Sequence, residues 1–154
     1  MYYRQLGDVK KAIRCYRRAL KLDSSYEPAW FNLGKAYQFE GDLDKSVECY
    51  IKALELNPAR KSSWNNLGLA YKHQNRFQEA IDCFTRAIEL DDQYWWAHMN
   101  LGLTYIMLEK FLSAVDCFEK VLALLPEDDS TVRLRVQVEK YYKLAKEKAG
   151  QKAD

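Results

Sequence analysis

The sequence predicts an all-α right-handed solenoid made of half a repeat, three full repeats and a C-terminal capping helix. Three observations carry this. Cys15, Cys49, Cys83 and Cys117 stand 34 residues apart, and a fixed period of that size marks a stack of supersecondary units. Other columns keep the same register: Trp30, Trp64 and His98; Leu33-Gly34, Leu67-Gly68 and Leu101-Gly102; Tyr3, Tyr37, Tyr71 and Tyr105; Ala12, Ser46, Ala80 and Ala114; Tyr16, Tyr50, Phe84 and Phe118; Ala19, Ala53, Ala87 and Val121. Within a unit the columns fall at helical spacing. Trp30, Leu33, Gly34 and Tyr37 share one face of a first helix, and Ala12, Tyr16 and Ala19 one face of a second.

Taken in order, helices are predicted over residues 9–22, 27–39, 43–56, 61–73, 77–90, 95–107 and 111–124, with a last helix over 131–148. Gly34 costs helix propensity, so its column implies close approach of a neighbouring helix where a side chain would clash. Gly7-Asp8 and Gly41-Asp42 mark turns between paired helices. Asn75 takes the left-handed conformation readily and Glu109, in the same column, does not, so the third turn is expected to differ in shape. Pro58 and Pro126 close two units. Ser130 or Thr131 is the expected cap of the last helix. Its apolar line is Leu134, Val138, Tyr141 and Ala145, and basic residues fill the rest, as befits the solvated end of a solenoid. The units are then 1–26 (partial), 27–60, 61–94 and 95–128, followed by the cap and polar tail over 129–154, all in one structural body. Met1 falls late in a first helix whose Trp and Leu-Gly columns are missing. The chain is therefore expected to be a fragment of a longer array, with Ile13, Tyr16 and Leu20 short of cover.

The order of columns, W-x2-L-G-x2-Y, then A-x3-F, then P, covers roughly residues 1–128 and resembles the tetratricopeptide repeat (TPR). The resemblance implies helix–turn–helix units whose first helices line a concave groove. It implies a non-catalytic module for protein–protein interaction, holding an extended peptide or a helix there. Asn32, Asn66 and Asn100 precede the Leu-Gly pairs and point toward that groove. A side-chain amide both donates and accepts, so it can satisfy the N–H and C=O of a peptide backbone whatever its sequence. The column is similar to the asparagine ladder in the superhelix of O-linked N-acetylglucosamine transferases; the same residues can instead bond a neighbouring helix. Around them, Phe31 and Lys35, Asn65 and Leu69, and Met99 and Leu103 are expected to line the groove, with Lys72 and Trp96. Trp96, Met99, Leu103 and Met107 would make an apolar contact patch unless the capping helix covers them. Family members that grip acidic chaperone tails use Lys and Arg on successive first helices. Here Trp96 and Asn100 stand in two of those places, which argues against that ligand. Two alternatives remain: a substrate-recruiting segment of a larger enzyme such as a glycosyltransferase, and a scaffold that self-associates through residues 1–20.

Composition narrows the rest. A net charge of +2 gives no case for nucleic acid or membrane. The charge is uneven: residues 1–25 hold seven basic and two acidic side chains, residues 129–154 seven and four, and the middle ten against sixteen. No apolar run approaches the ~18 residues of a membrane span. The cysteine column is spaced by whole helix pairs, too far for a disulfide, and free thiols suit a reducing, cytoplasmic compartment. His73 and His98 lie in different columns without ligand spacing. No phosphate loop, nucleophile elbow or zinc-binding motif is present, so neither a metal, a cofactor nor catalysis is expected.

Overall fold

The computed structural model describes the backbone of residues 2–151 and the side chains of residues 8–151. Eight helices make up the described residues: α1 Tyr2–Leu22, α2 Glu27–Glu40, α3 Leu43–Leu56, α4 Lys61–His73, α5 Phe77–Leu90, α6 Trp95–Met107, α7 Phe111–Leu124 and α8 Val132–Gln151. Each helix packs on its neighbours in sequence. The first helices α2, α4 and α6 also touch one another in line, and α8 continues that line against α6. The second helices α3, α5 and α7 do not meet each other. The row that closes up is the inside of the curve, so α2, α4 and α6 form the concave face.

The glycine column explains how tightly each pair closes. A Cβ on Gly34 would lie 2.8 Å from Tyr50 Cε1, on Gly68 2.7 Å from Phe84 Cε1, and on Gly102 2.9 Å from Phe118 Cε1. These three rings are fully buried, so the glycine backbone is the surface on which each aromatic knob sits. The small columns flank the knob: Ser46, Ala53, Ala80, Ala87 and Ala114 are also fully buried. Ser46 is admitted because its hydroxyl donates to the Gly34 carbonyl at 2.9 Å. Cys49, Cys83 and Cys117 are buried free thiols, and burial pushes each up to about 12.

The turns inside the three full units are the same, against the expectation for the third. Gly41, Asn75 and Glu109 take φ of 90°, 60° and 55°. In each unit the next N–H reaches back to the carbonyl of the column tyrosine: Asp42 to Tyr37 at 3.0 Å, Arg76 to Tyr71 at 2.9 Å and Lys110 to Tyr105 at 2.9 Å. These closures satisfy helix-end carbonyls, and packing of the paired helices outweighs the ~1–2 kcal/mol that a left-handed glutamate costs.

The first unit departs from the expectation at its front. No turn interrupts α1 at Gly7-Asp8; the helix runs straight through. A turn is selected when a first helix folds back onto its partner. Continuing the helix gains one hydrogen bond per residue. Tyr2, Tyr3 and Leu6, expected to cover part of α1, lie outside the residues whose side chains are described. Ile13 and Leu20 are nevertheless buried, against Ala29, Leu33 and Tyr37. The open positions are on another face. Cys15 is exposed and Ala12, Tyr16 and Ala19 are only half-buried, where their counterparts in later units are closed.

At the far end α8 packs on α7 and α6. Val138 and Ala145 are fully buried, Tyr141 stacks on Phe118 with ring centres 5.9 Å apart, and Arg135 donates to the Leu125 carbonyl at 2.8 Å. Neither Ser130 nor Thr131, the expected caps, accepts an α8 N–H through its side chain among the described residues; both are held instead by Asp128 in the turn ahead of the helix. Its carboxylate accepts the Ser130 and Thr131 N–H groups at 2.9 and 3.1 Å, while the Thr131 hydroxyl donates back to the Pro126 carbonyl. No helix among the described residues is long and apolar enough to cross a membrane.

Candidate functional site

The concave face is built by α2, α4 and α6, whose capping and packing aim one column after another into it. The expected lining residues divide into two sets. Lys35 and Trp96 are exposed, and Asn32, Asn66, Leu69, Lys72 and Leu103 are half-buried. Phe31, Asn65, Met99 and Asn100 are closed off, with 8%, 4%, 7% and 8% of their surface exposed. Phe31 is covered by the Arg60 guanidinium, 3.9 Å from its ring centre, and lies against Tyr50. Met99 and Leu103 belong to the cluster that α8 completes through Val138, Tyr141 and Ala145. The expected apolar patch is therefore split: the capping helix takes Met99 and Leu103, and Trp96 and Met107 remain open at 51% and 53%.

The asparagines are engaged unequally. Asn100 donates to Asn65 Oδ1 at 2.9 Å, across α6 and α4, and Asn65 donates to Asn66 Oδ1 at 3.3 Å. Separately, the Tyr50 hydroxyl on α3 donates to Gln38 Oε1 on α2 at 3.0 Å. The asparagine bonds thus tie α4 to α6, and the tyrosine bond ties α2 to α3. Buried amides must find such partners, so Asn65 and Asn100 join helices rather than present themselves to a ligand. Asn32 stands apart: its amide donates to the Pro28 carbonyl of its own helix at 2.9 Å, and its side-chain oxygen takes no hydrogen bond among the described residues. Gln38, three residues beyond Lys35 on α2, is the acceptor that Tyr50 requires. Its signal was available in the tyrosine at position 50, where units three and four have phenylalanine: a buried hydroxyl needs an acceptor.

Electrostatically the groove is short of acids. Glu27 is held by Arg60 at 2.6 Å, and Lys61 by Asp91. Lys35 and Lys72 have no carboxylate partner among the described residues, and burial alone pulls the Lys72 ammonium below the ordinary lysine range. His98 fills the tryptophan column by making the same bond. Its Nε2 lies 3.0 Å from the Asp92 carbonyl, as Trp30 and Trp64 donate to Ser24 and Pro58 carbonyls at 2.9 and 2.8 Å. Among the described residues no three His, Cys, Asp or Glu side chains converge on a metal-sized site.

Family models described as tetratricopeptide repeat match residues 28–59, 62–94 and 95–128, and one described as TPR repeat matches residues 2–38. The chain belongs to the tetratricopeptide-repeat family. Among solved structures it is similar to MamA, at 31% identity and a TM-score of 0.76, over 97% of this chain and 94% of that one. It also shares the fold of the TPR2B domain of yeast Sti1 in a complex with pHsp70, at 22% identity and a TM-score of 0.68, over 74% of this chain and 90% of that one. A third similar structure is the first TPR of Spaghetti (RPAP3) bound to an HSP90 peptide, at 24% identity and a TM-score of 0.66, over 77% and 94%. No curated protein matches the sequence significantly. A TPR array of this kind is a protein–protein interaction module.

Proposed function

We propose that this TPR array is a non-catalytic module that holds an extended peptide along α2, α4 and α6, and that the peptide places a carboxylate beside Lys72. The observation that carries this is Lys72 itself: a half-buried ammonium on the concave face with no acid to meet it. Partly desolvated cations are costly unless paired, and a bound carboxylate would complete the pair. Asn32 offers its free carbonyl to a peptide N–H, Lys35 adds a second cation and Trp96 an exposed ring for an apolar side chain. Fluorescence anisotropy with a panel of extended peptides, with and without acidic residues, tests the reading. Binding is expected to require an acidic residue and to fall at least about tenfold in Lys72→Met, in line with the worth of a partly buried charge pair, while melting is unchanged. Equal binding of neutral peptides, or a Lys72→Met variant that binds as well as the parent, would refute it.

The open side of α1 favours a second reading, self-association through residues 1–20. Ala12, Cys15, Tyr16 and Ala19 are the columns that a first helix covers in every later unit. A helix from a second copy laid on them would bury that apolar surface and shield Cys15 from thiol reagents. Two basic helices are then brought together, so salt should strengthen this contact. A Cys15 that labels at the same rate in dilute and concentrated protein would rule it out.

A further inference from the structure

The outer face of the array carries charge in a pattern that the groove does not explain. On α1 the residues Lys10, Lys11, Arg14, Arg17, Arg18 and Lys21 are all exposed. At ~100° per residue they fall within about 120° of arc, a continuous basic ridge. Lys11 meets Asp8 at 3.8 Å, and the other five meet no carboxylate among the described residues. The same six columns hold three acids and two bases on α3, and three acids and one base on α5. One end of the outer face is strongly positive and the middle is negative.

Two clefts open on that face because consecutive second helices splay apart. The first lies between α1 and α3 over Trp30, Leu33 and Tyr37. The second lies between α3 and α5 over Trp64, Leu67 and Tyr71. Each lining residue of one is the 34-residue counterpart of a lining residue of the other. Their rims differ in sign. Arg17, Lys21 and Lys45 make the first basic, against Glu48 alone. Glu55, Glu79 and Asp82 make the second acidic, around about 470 Å³ of mostly apolar space. Among the described residues Glu55 is paired with Lys52 of its own helix and Glu79 with Arg76 at the start of α5, at 2.6 and 2.5 Å, in exposed contacts of the kind that contribute little and exchange easily. Among the described residues Asp82 accepts from the Gln78 amide, at 3.2 Å.

Arg14, Arg18 and Leu22 follow at i, i+4 and i+8 and so form one row along α1. Leu22 is 85% exposed at the end of this row. We propose that a second copy of the chain seats this row in the acidic cleft, its two guanidiniums against Glu79 and Asp82 and its leucine on the floor beside Trp64 and Leu67. Two arguments single out this occupant. The complementary surfaces lie on the same chain and are therefore present in equal amount wherever either is. The twin cleft next to α1 would repel the row through Arg17, Lys21 and Lys45, so the docking has one address. Because row and cleft are different surfaces, the contact is head-to-tail, and such contacts propagate unless the rotation closes a ring.

Sedimentation velocity on the whole chain tests this, with Glu79→Gln/Asp82→Asn as a cleft variant and Arg14→Gln/Arg18→Gln as a row variant. The parent should form species larger than a dimer as concentration rises. This association should weaken about tenfold or more between ~0.05 and ~0.5 M salt, where screening shortens from about 14 to about 4 Å. Each variant alone should stay monomeric under conditions where the parent assembles. An equimolar mixture of the two should give a one-to-one dimer that grows no further, because each supplies the surface that the other lacks. A mixture that remains monomeric, an association that salt strengthens, or a cleft variant that assembles like the parent would overturn the proposal. The last two outcomes are those of contact through the Ala12–Tyr16 face, so the two modes of self-association are told apart.

Discussion

The glycine column supplies the sharpest test of how the array is held. Gly68 sits on Phe84, and a Cβ built there would lie 2.7, 2.9 and 3.0 Å from three ring carbons. Carbon atoms rest at about 3.5–4.0 Å, so the ring would have to withdraw by roughly 1 Å. Phe84 is fully buried, with Ala80 and Ala87 on the same helix closed as well. Overpacking of this sort costs ~1–3 kcal/mol. Alanine in place of glycine inside a helix gains about 1 kcal/mol. The two terms oppose each other, so Gly68→Ala is expected to destabilise by about 0–2 kcal/mol, and Gly68→Leu by more. The two are separated by repeating the alanine substitution in a Phe84→Leu background. There the clash is relieved and only the helix gain remains, so Gly68→Ala should turn stabilising, with a coupling of about 1–2 kcal/mol. Urea denaturation followed by circular dichroism gives the midpoints, and amide exchange shows whether the loss is confined to α4 and α5. If Gly68→Ala shifts the midpoint upward by the same amount in both backgrounds, the ring does not press on the glycine and the account of the column is wrong.

Three further substitutions test separate parts of the structure. Glu109→Gly removes the strain of a left-handed glutamate at φ 55° and should raise stability by about 1 kcal/mol, less whatever its side chain contributes, in thermal melts. Asn100→Ala leaves Asn65 Oδ1 without its donor and should cost about 1–3 kcal/mol, whereas Asn32→Ala, which breaks only a bond within its own helix, should stay within about 0.5 kcal/mol. Burial holds the His98 imidazole below the ordinary histidine range, so its neutral form favours the fold. The unfolded chain therefore binds the extra proton first, and stability present above about pH 6.5 is lost as pH falls below it. His98→Trp, which restores the column residue, should flatten that part of the pH–midpoint curve.

The solenoid was legible because the same residues recur at the same places. A 34-residue ruler places Trp30, Gly34, Tyr50 and their counterparts without any knowledge of packing, and most predicted helices end within a residue of those observed. What escaped was decided by relations between units. Glu109 carries no turn signal of its own; the Tyr105 carbonyl behind it and the paired helices around it impose the turn. Gly7-Asp8 carries a strong turn signal that local propensity alone does not turn into a break, since α1 runs through it. The asparagines are visible in the sequence as a column, but which of them bonds a neighbouring helix depends on the residue beside it. Asn65 stands where units two and four have Phe31 and Met99, and this one amide draws Asn100 and Asn66 into the network. The charge on the outer face has the same character. The blocks of basic and acidic residues were visible in the sequence as unequal counts. Their sign pattern acquires meaning only once the second helices splay, because the splay turns one column of acids into the rim of an apolar cleft. A repeat therefore specifies its own scaffold almost completely, while the chemistry of its surface is set where one unit departs from the next.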